Sequence, residues 1–254
     1  MNKIFYWSPF TTSKIATVKA VINSAASLNK FFKKKNFKTT IIDAVNEWED
    51  FEDEIKEKKI ELIYLNKDSF FKSFKKDGFI RSRFAYFYIF FKSFFPLIKI
   101  LQEKKPDYFI IHLITSLPIF LFTFKKFESK LILRISGLPK MTFFRKLLWR
   151  IAVKNIYIIT CPTFATYENL SRFEFLKEKL CVLNDPILNI SEIQKIKNKE
   201  VIISENIKQM ILKKKYFLFI GRFTKQKNYL YYLNCIPEIL KLKNKLYFLF
   251  IGDG

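Results

Sequence analysis

Short, unbroken apolar runs alternate along this chain with helix-length amphipathic stretches. No other feature limits the possible folds as strongly. Phe109-Ile110-Ile111 and Ile156-Tyr157-Ile158-Ile159 are two such runs. A strand with one wet face alternates apolar and polar residues, whereas a strand apolar at every position is covered on both faces. That is the condition of a parallel sheet sandwiched between helices. The pattern predicts strands at Lys3–Ser8, Phe37–Asp43, Glu61–Leu65, Tyr108–Leu113, Lys130–Ile135, Ile156–Thr160 and Lys179–Leu183. Helices are expected over Ile15–Lys34, Arg81–Lys104 (broken near Pro96), Phe143–Lys154 and after Cys161-Pro162-Thr163. In the first of these, Ile15, Val18, Val21, Ile22, Ala25 and Leu28 share a face.

The alternation defines three regions. Residues 1–186 read as one domain of α/β class, a mostly parallel sheet with helices on both faces. Residues 187–215 are polar and rich in Lys, Glu and Asn, and read as a connector with one amphipathic helix. A second α/β unit opens at 216 with strand Tyr216–Ile220, helix Tyr229–Leu242 and strand Leu246–Ile251. One strand–helix–strand unit has too little core to fold alone. The sequence therefore reads as a fragment whose second domain is incomplete.

Composition excludes several functions. Three well-separated cysteines, Cys161, Cys181 and Cys235, do not make a disulfide scaffold or a cysteine zinc site, and a single histidine, His112, excludes a multi-histidine metal centre. The net charge of +23 favours anionic partners, but the lysines are scattered, and no nucleic-acid motif accompanies them. No Gly-x-Gly-x-x-Gly follows a strand, which argues against dinucleotide binding.

With only five glycines in 254 residues, each position carries weight. Gly221 and the pair Gly252/Gly254 directly follow predicted strands, where ligands bind in doubly wound sheets. Arg222 and Lys227 flank the start of the next helix. Two cations beside a helix N-terminus suit a diphosphate, although the same residues also make an ordinary strand-to-helix turn with solvated bases.

The segment Phe217-Leu218-Phe219-Ile220-Gly221-Arg222-Phe223-Thr224-Lys225-Gln226-Lys227-Asn228, with the later Phe250-Ile251-Gly252-Asp253-Gly254, resembles the opening of the nucleotide-sugar domain of family 4 glycosyltransferases. The resemblance implies a GT-B fold, with two Rossmann-like domains, and sugar transfer from a nucleotide diphosphate sugar. It implies that Arg222 and Lys227 bind the donor diphosphate and stabilise its departing charge without a metal or cofactor, and that Gly221 and Gly252 lie in donor-side loops. The absence of an Asp-x-Asp sequence fits a metal-independent transferase. The paired glutamates that hold the donor in this family would lie beyond Gly254, so the chain is expected to be inactive alone.

The first part resembles the acceptor domain of the same family. Ser8-Pro9-Phe10-Thr11-Thr12-Ser13 occupies the place of its usual glycine-rich loop. The hydroxyls of Thr11, Thr12 and Ser13 fit either acceptor binding or helix capping. Ser136-Gly137 stands where the family often has a sugar-facing His-Gly, so no catalytic residue is assigned there. His112 matches a commonly polar position and fits either an acceptor-side or a core role. Asn184-Asp185-Pro186 resembles the segment that ends the first domain, and reads equally as a turn.

Tyr108–Phe124 is long enough to span a membrane, but carries His112, Thr115, Ser116, Pro118 and Thr123, and reads as strand, turn and helix start. Phe70–Lys105 mixes aromatics with Lys and Arg, which fits either a core helix or a segment lying on an anionic bilayer. Surface contact would suit a polyprenyl-linked acceptor. The expected enzyme is cytoplasmic, peripheral on the inner face of the cytoplasmic membrane, and acts on a saccharide or lipid-linked acceptor in surface polysaccharide assembly, without nucleic acid. The alternative is a non-enzymatic basic protein that binds membranes or nucleic acid.

Overall fold

In the computed structural model, which describes residues 2–11, 16–31, 37–67, 79–199 and 203–253, the apolar runs pair edge to edge. Seven strands form one sheet: β1 (Asn2–Trp7), β2 (Phe37–Asp43), β3 (Glu61–Tyr64), β4 (Tyr108–Ile111), β5 (Lys130–Arg134), β6 (Ile156–Cys161) and β7 (Leu180–Val182). Their order is β3-β2-β1-β4-β5-β6-β7, with every pairing parallel. β1 lies between β2 and β4, so the chain winds outward from it in both directions. The carboxyl ends of β1 and β4 form the switch point at which ligands bind in such sheets.

Alternate residues of β1 enter separate cores. Ile4 and Tyr6 pack with Val18, Val21, Ile22 and Ala25 of the helix Ala16–Phe31. Phe5 and Trp7 pack on the other face with Ala85, Ile89, Leu97 and Leu101 of the helix Phe79–Lys104. Both faces of the sheet are thus covered, as its continuously apolar strands require. Tyr108–Phe124 forms β4, a turn and the helix Ser116–Phe124, as the sequence predicts.

Two local expectations are corrected. Pro96 does not break its helix, which runs continuously from Phe79 to Lys104. Proline at 96 cannot donate to the carbonyl of Lys92. The side-chain amide of Asn66 donates to that carbonyl instead, at 3.2 Å, and also to the Ala44 carbonyl at 2.9 Å. The polar stretch after Asn189 contains two helices, Ile190–Lys197 and Glu205–Lys213, where one is expected. Each has an acidic residue in its first turn and lysine in its last, complementing its own dipole.

The chain forms two compact units, Met1–Ile190 and Ser191–Gly254. In the second, β8 (Lys215–Ile220) and β9 (Leu246–Ile251) run parallel in continuous register, joined by the helix Tyr229–Leu242. Paired rings stack across the strands, Phe217 on Phe248 at 5.6 Å and Phe219 on Phe250 at 4.8 Å. No described residue of this unit is fully buried.

Candidate functional site

At the carboxyl edge of the first sheet, the ends of β4 and β5 enclose a cleft of about 380 Å³. His112, Ile114, Thr115, Ser136, Gly137 and Arg145 contribute to its wall. The structure thereby brings His112 together with Ser136 and Gly137, which lie 24 and 25 positions further along the sequence. Thr11 does not line this cleft, and Thr12 and Ser13 lie outside the described residues.

The cleft's geometry starts from β1. The His112 amide donates to the Trp7 carbonyl at 2.9 Å, extending the β1–β4 ladder by one residue. The Trp7 indole Nε1 donates to the Ile114 carbonyl at 3.1 Å. Ile114 has φ of 47°, a left-handed conformation that crowds a β-branched side chain. Such a conformation costs about 1–3 kcal/mol and persists only where its surroundings fix it. Here the buried indole of Trp7 holds it.

His112 is 4% exposed, and neither ring nitrogen has a hydrogen-bond partner. Burial, aided by the charge of Arg134, lowers its pKa to about 3. The imidazole is therefore neutral at physiological pH and can donate one hydrogen bond and accept another, which suits a hydroxyl group. Arg134 itself is committed. Its Nε and a terminal nitrogen contact Asp185 Oδ1 at 2.7 and 2.6 Å, and the same terminal nitrogen donates to the Asn184 carbonyl at 3.0 Å. Asp185 is thus the counter-ion of a buried arginine, a role its turn-like sequence context does not reveal. Ser136 is exposed, and a Cβ added at Gly137 would meet nothing within 4 Å.

A second polar cluster, missed in the sequence, closes β2. Asp43 accepts from the amides of Asn46, Glu47 and Trp48, while Glu47 accepts from those of Ala44 and Val45. Burial raises both carboxyls, and the Asp43 charge raises Glu47 further. Their oxygens bond the loop's backbone amides and the two carboxyls bond each other, so the pair shapes the loop.

In the second unit, the two glycines singled out by sequence lie against each other. A Cβ on Gly252 would stand 1.8 Å from the Gly221 carbonyl oxygen. Gly221 has φ of 155°, which disfavours any side chain, and its amide donates to the Ile251 carbonyl at 2.9 Å. The Tyr229 hydroxyl donates to the Gly221 carbonyl at 2.9 Å and packs edge-on to Phe223. The stem of Lys227 lies near Gly221, its Cε 3.6 Å from a Cβ built there. Arg222 and Lys227 are both exposed. A neighbouring cavity of about 490 Å³ is lined by Phe223, Thr224, Lys225, Asn228, Tyr229 and Leu230, and includes neither cation. Among the described residues no group of His, Cys, Asp and Glu could hold a metal ion.

No protein-family model matches this sequence, and no curated protein matches it. Solved structures do. A Listeria monocytogenes protein provisionally assigned as a UDP-N-acetylglucosamine 2-epimerase aligns with TM-score 0.59 and 13% identity over 98% of this chain and 63% of its own. The UDP-GlcNAc 2-epimerase of Neisseria meningitidis, bound to UDP-GlcNAc, gives 0.56 and 14% over 98% and 65%. A glycosyltransferase of Rickettsia africae gives 0.55 and 13% over 99% and 68%. The chain thus spans less than two thirds of the length of the first two. These similarities show the fold alone: α/β of GT-B type, with a Rossmann-like first unit and a parallel strand–helix–strand in the second.

Proposed function

We propose that this chain belongs to a nucleotide-sugar enzyme, a glycosyltransferase resembling family 4. It would move a sugar from a nucleotide diphosphate donor to a saccharide or polyprenyl-linked acceptor. Surface polysaccharide assembly at the inner face of the cytoplasmic membrane is the setting this acceptor chemistry suggests. The observation that carries the reading is the seating of Gly221 against Gly252, which brings the ends of β8 and β9 together with Lys227 beside them. Glycine at both positions keeps side chains off the two strand ends, and Arg222 and Lys227 supply charge partners for a diphosphate there. As the sugar departs, negative charge grows on the diphosphate oxygens. The two cations stabilise it in place of a metal. In the first unit, the neutral His112 forms part of the wall of the acceptor-side cleft, while Ser136 and Gly137 leave its mouth open.

A second reading, a nucleotide-sugar epimerase, is supported by what two of the similar proteins are called. Both readings require diphosphate binding. Titrating the chain with uridine, guanosine and adenosine diphosphates tests this requirement. Arg222→Ala and Lys227→Ala should each weaken the preferred ligand about tenfold, the scale of one charge-assisted hydrogen bond. Unchanged binding in both variants rejects the site; binding lost only when bulk charge is reduced supports a basic binding module instead. Product analysis with a nucleotide sugar, with and without a saccharide acceptor, separates transfer from epimerisation.

A further inference from the structure

The helix Phe79–Lys104 has two opposed stripes. Ala85, Ile89, Leu97 and Leu101 are buried in the core. Phe84, Phe87, Phe91 and Phe95 face outward and are 52–76% exposed. At 100° per residue these four rings fall within an arc of about 80°, along roughly 16 Å of helix. The helix Ser116–Phe124 continues the surface: Phe91 touches Phe90 at 5.5 Å, Phe90 touches Phe120 at 6.3 Å, and Phe120 touches the exposed Phe124 at 4.7 Å. Phe95 joins through Phe94 at 5.1 Å, which meets Phe120 at 6.3 Å. A continuous aromatic ridge of this kind is unfavourable in water and marks a docking face.

We propose that this ridge is a bilayer-docking face whose occupant is an anionic lipid surface. Exposed cations flank it: Arg81 and Arg83 at its start, Lys92 and Lys99 along it, and Lys126 beside Phe124. The chain as a whole carries +23. A second copy would bring two such cationic rims face to face, whereas an acidic bilayer offers apolar depth to the rings and negative head groups to the cations. Arg83–Lys104 is long and apolar enough to cross a membrane, but its inner stripe belongs to the protein core and Lys92 stands mid-helix. The helix therefore lies in the interface plane. This deepens the membrane contact of the proposed function and rests on that reading for the choice of leaflet alone.

Flotation of the full chain with phosphatidylcholine vesicles, with and without phosphatidylglycerol, tests it. No nucleotide sugar is present, so failure here leaves sugar transfer standing, and the reverse. The chain should float with the anionic vesicles and be released by salt. Phe91→Glu with Phe95→Glu should weaken binding about tenfold or more, given the apolar area each ring contributes. Phe124→Glu should act in the same direction from the second helix. Phe164→Glu, an exposed ring on the helix Phe164–Ser171, should change nothing. A wild-type chain that stays off anionic vesicles overturns the proposal, as does undiminished flotation of the ridge variants. So does a chain that self-associates through the ridge without floating, which would make this face an interface between copies.

Discussion

β1 and β8 are made of similar residues, Asn-Lys-Ile-Phe-Tyr-Trp and Lys-Tyr-Phe-Leu-Phe-Ile, and each opens a parallel sheet. Tyr6 and Trp7 in the first are wholly buried, while Phe217 and Leu218 in the second are each 47% exposed. The strands themselves do not account for this. β1 has a partner on each edge and a core on each face, whereas β8 has β9 alone and a single crossover helix. Strand identity is written locally in the apolar run; burial is a property of the neighbours.

The largest expected effect sharpens this contrast. Phe109→Ala, at a fully buried ring, should cost about 3–5 kcal/mol in urea unfolding. Phe217→Ala should cost about 1 kcal/mol or less, because half of that ring already faces water. Equal losses would mean that β8 is covered in solution.

Glycine substitutions come next. Gly252→Ala must force the ends of β8 and β9 apart, and should speed hydrogen exchange at the Gly221 amide that bonds Ile251. Gly137→Ala, with open space around it, should leave melting and exchange unchanged. A silent Gly252→Ala would show that the contact is loose.

The smallest effect at neutral pH is one that grows on acidification, a pH slope confined to the first unit, which holds the chain's single histidine. The His112 pKa falls from 6.5 in the unfolded chain to about 3 in the folded one. Between these values the unfolded chain binds more protons, so acidification removes stability. His112→Leu should flatten that loss between about pH 6.5 and 3, read as the difference in unfolding free energy from wild type. Parallel curves would mean the imidazole is solvated.

Much of the fold was legible because it is local. The spans of β2, β9 and the helix Tyr229–Leu242 follow directly from apolar runs and their turn signals. What escaped depends on distant partners. Pro96 looks like a break because the substitute donor, Asn66, is thirty residues upstream. Asp185 looks like a turn residue because Arg134, its ion-pair partner, is 51 residues away. The two helices of 190–213 were blurred by their charge density, which hides a weak isoleucine period. At the candidate site, glycine scarcity identified Gly221 and Gly252, but not that one sits on the other. The strained Ile114 left no trace in composition, since its conformation is imposed by Trp7.

That glycine contact also bears on how such a sequence can drift. A chain this rich in Lys, Phe, Ile and Asn reads as one whose composition has been pushed broadly in one direction. Surface positions absorb that push freely, and Gly137 could follow them at little cost. Gly252 cannot: even the smallest side chain collides with a backbone carbonyl, so replacement requires the two strand ends to be rebuilt together. The Gly221–Gly252 pair is therefore a fixed point, where mutational pressure meets a steric limit and the two loops can only change as one.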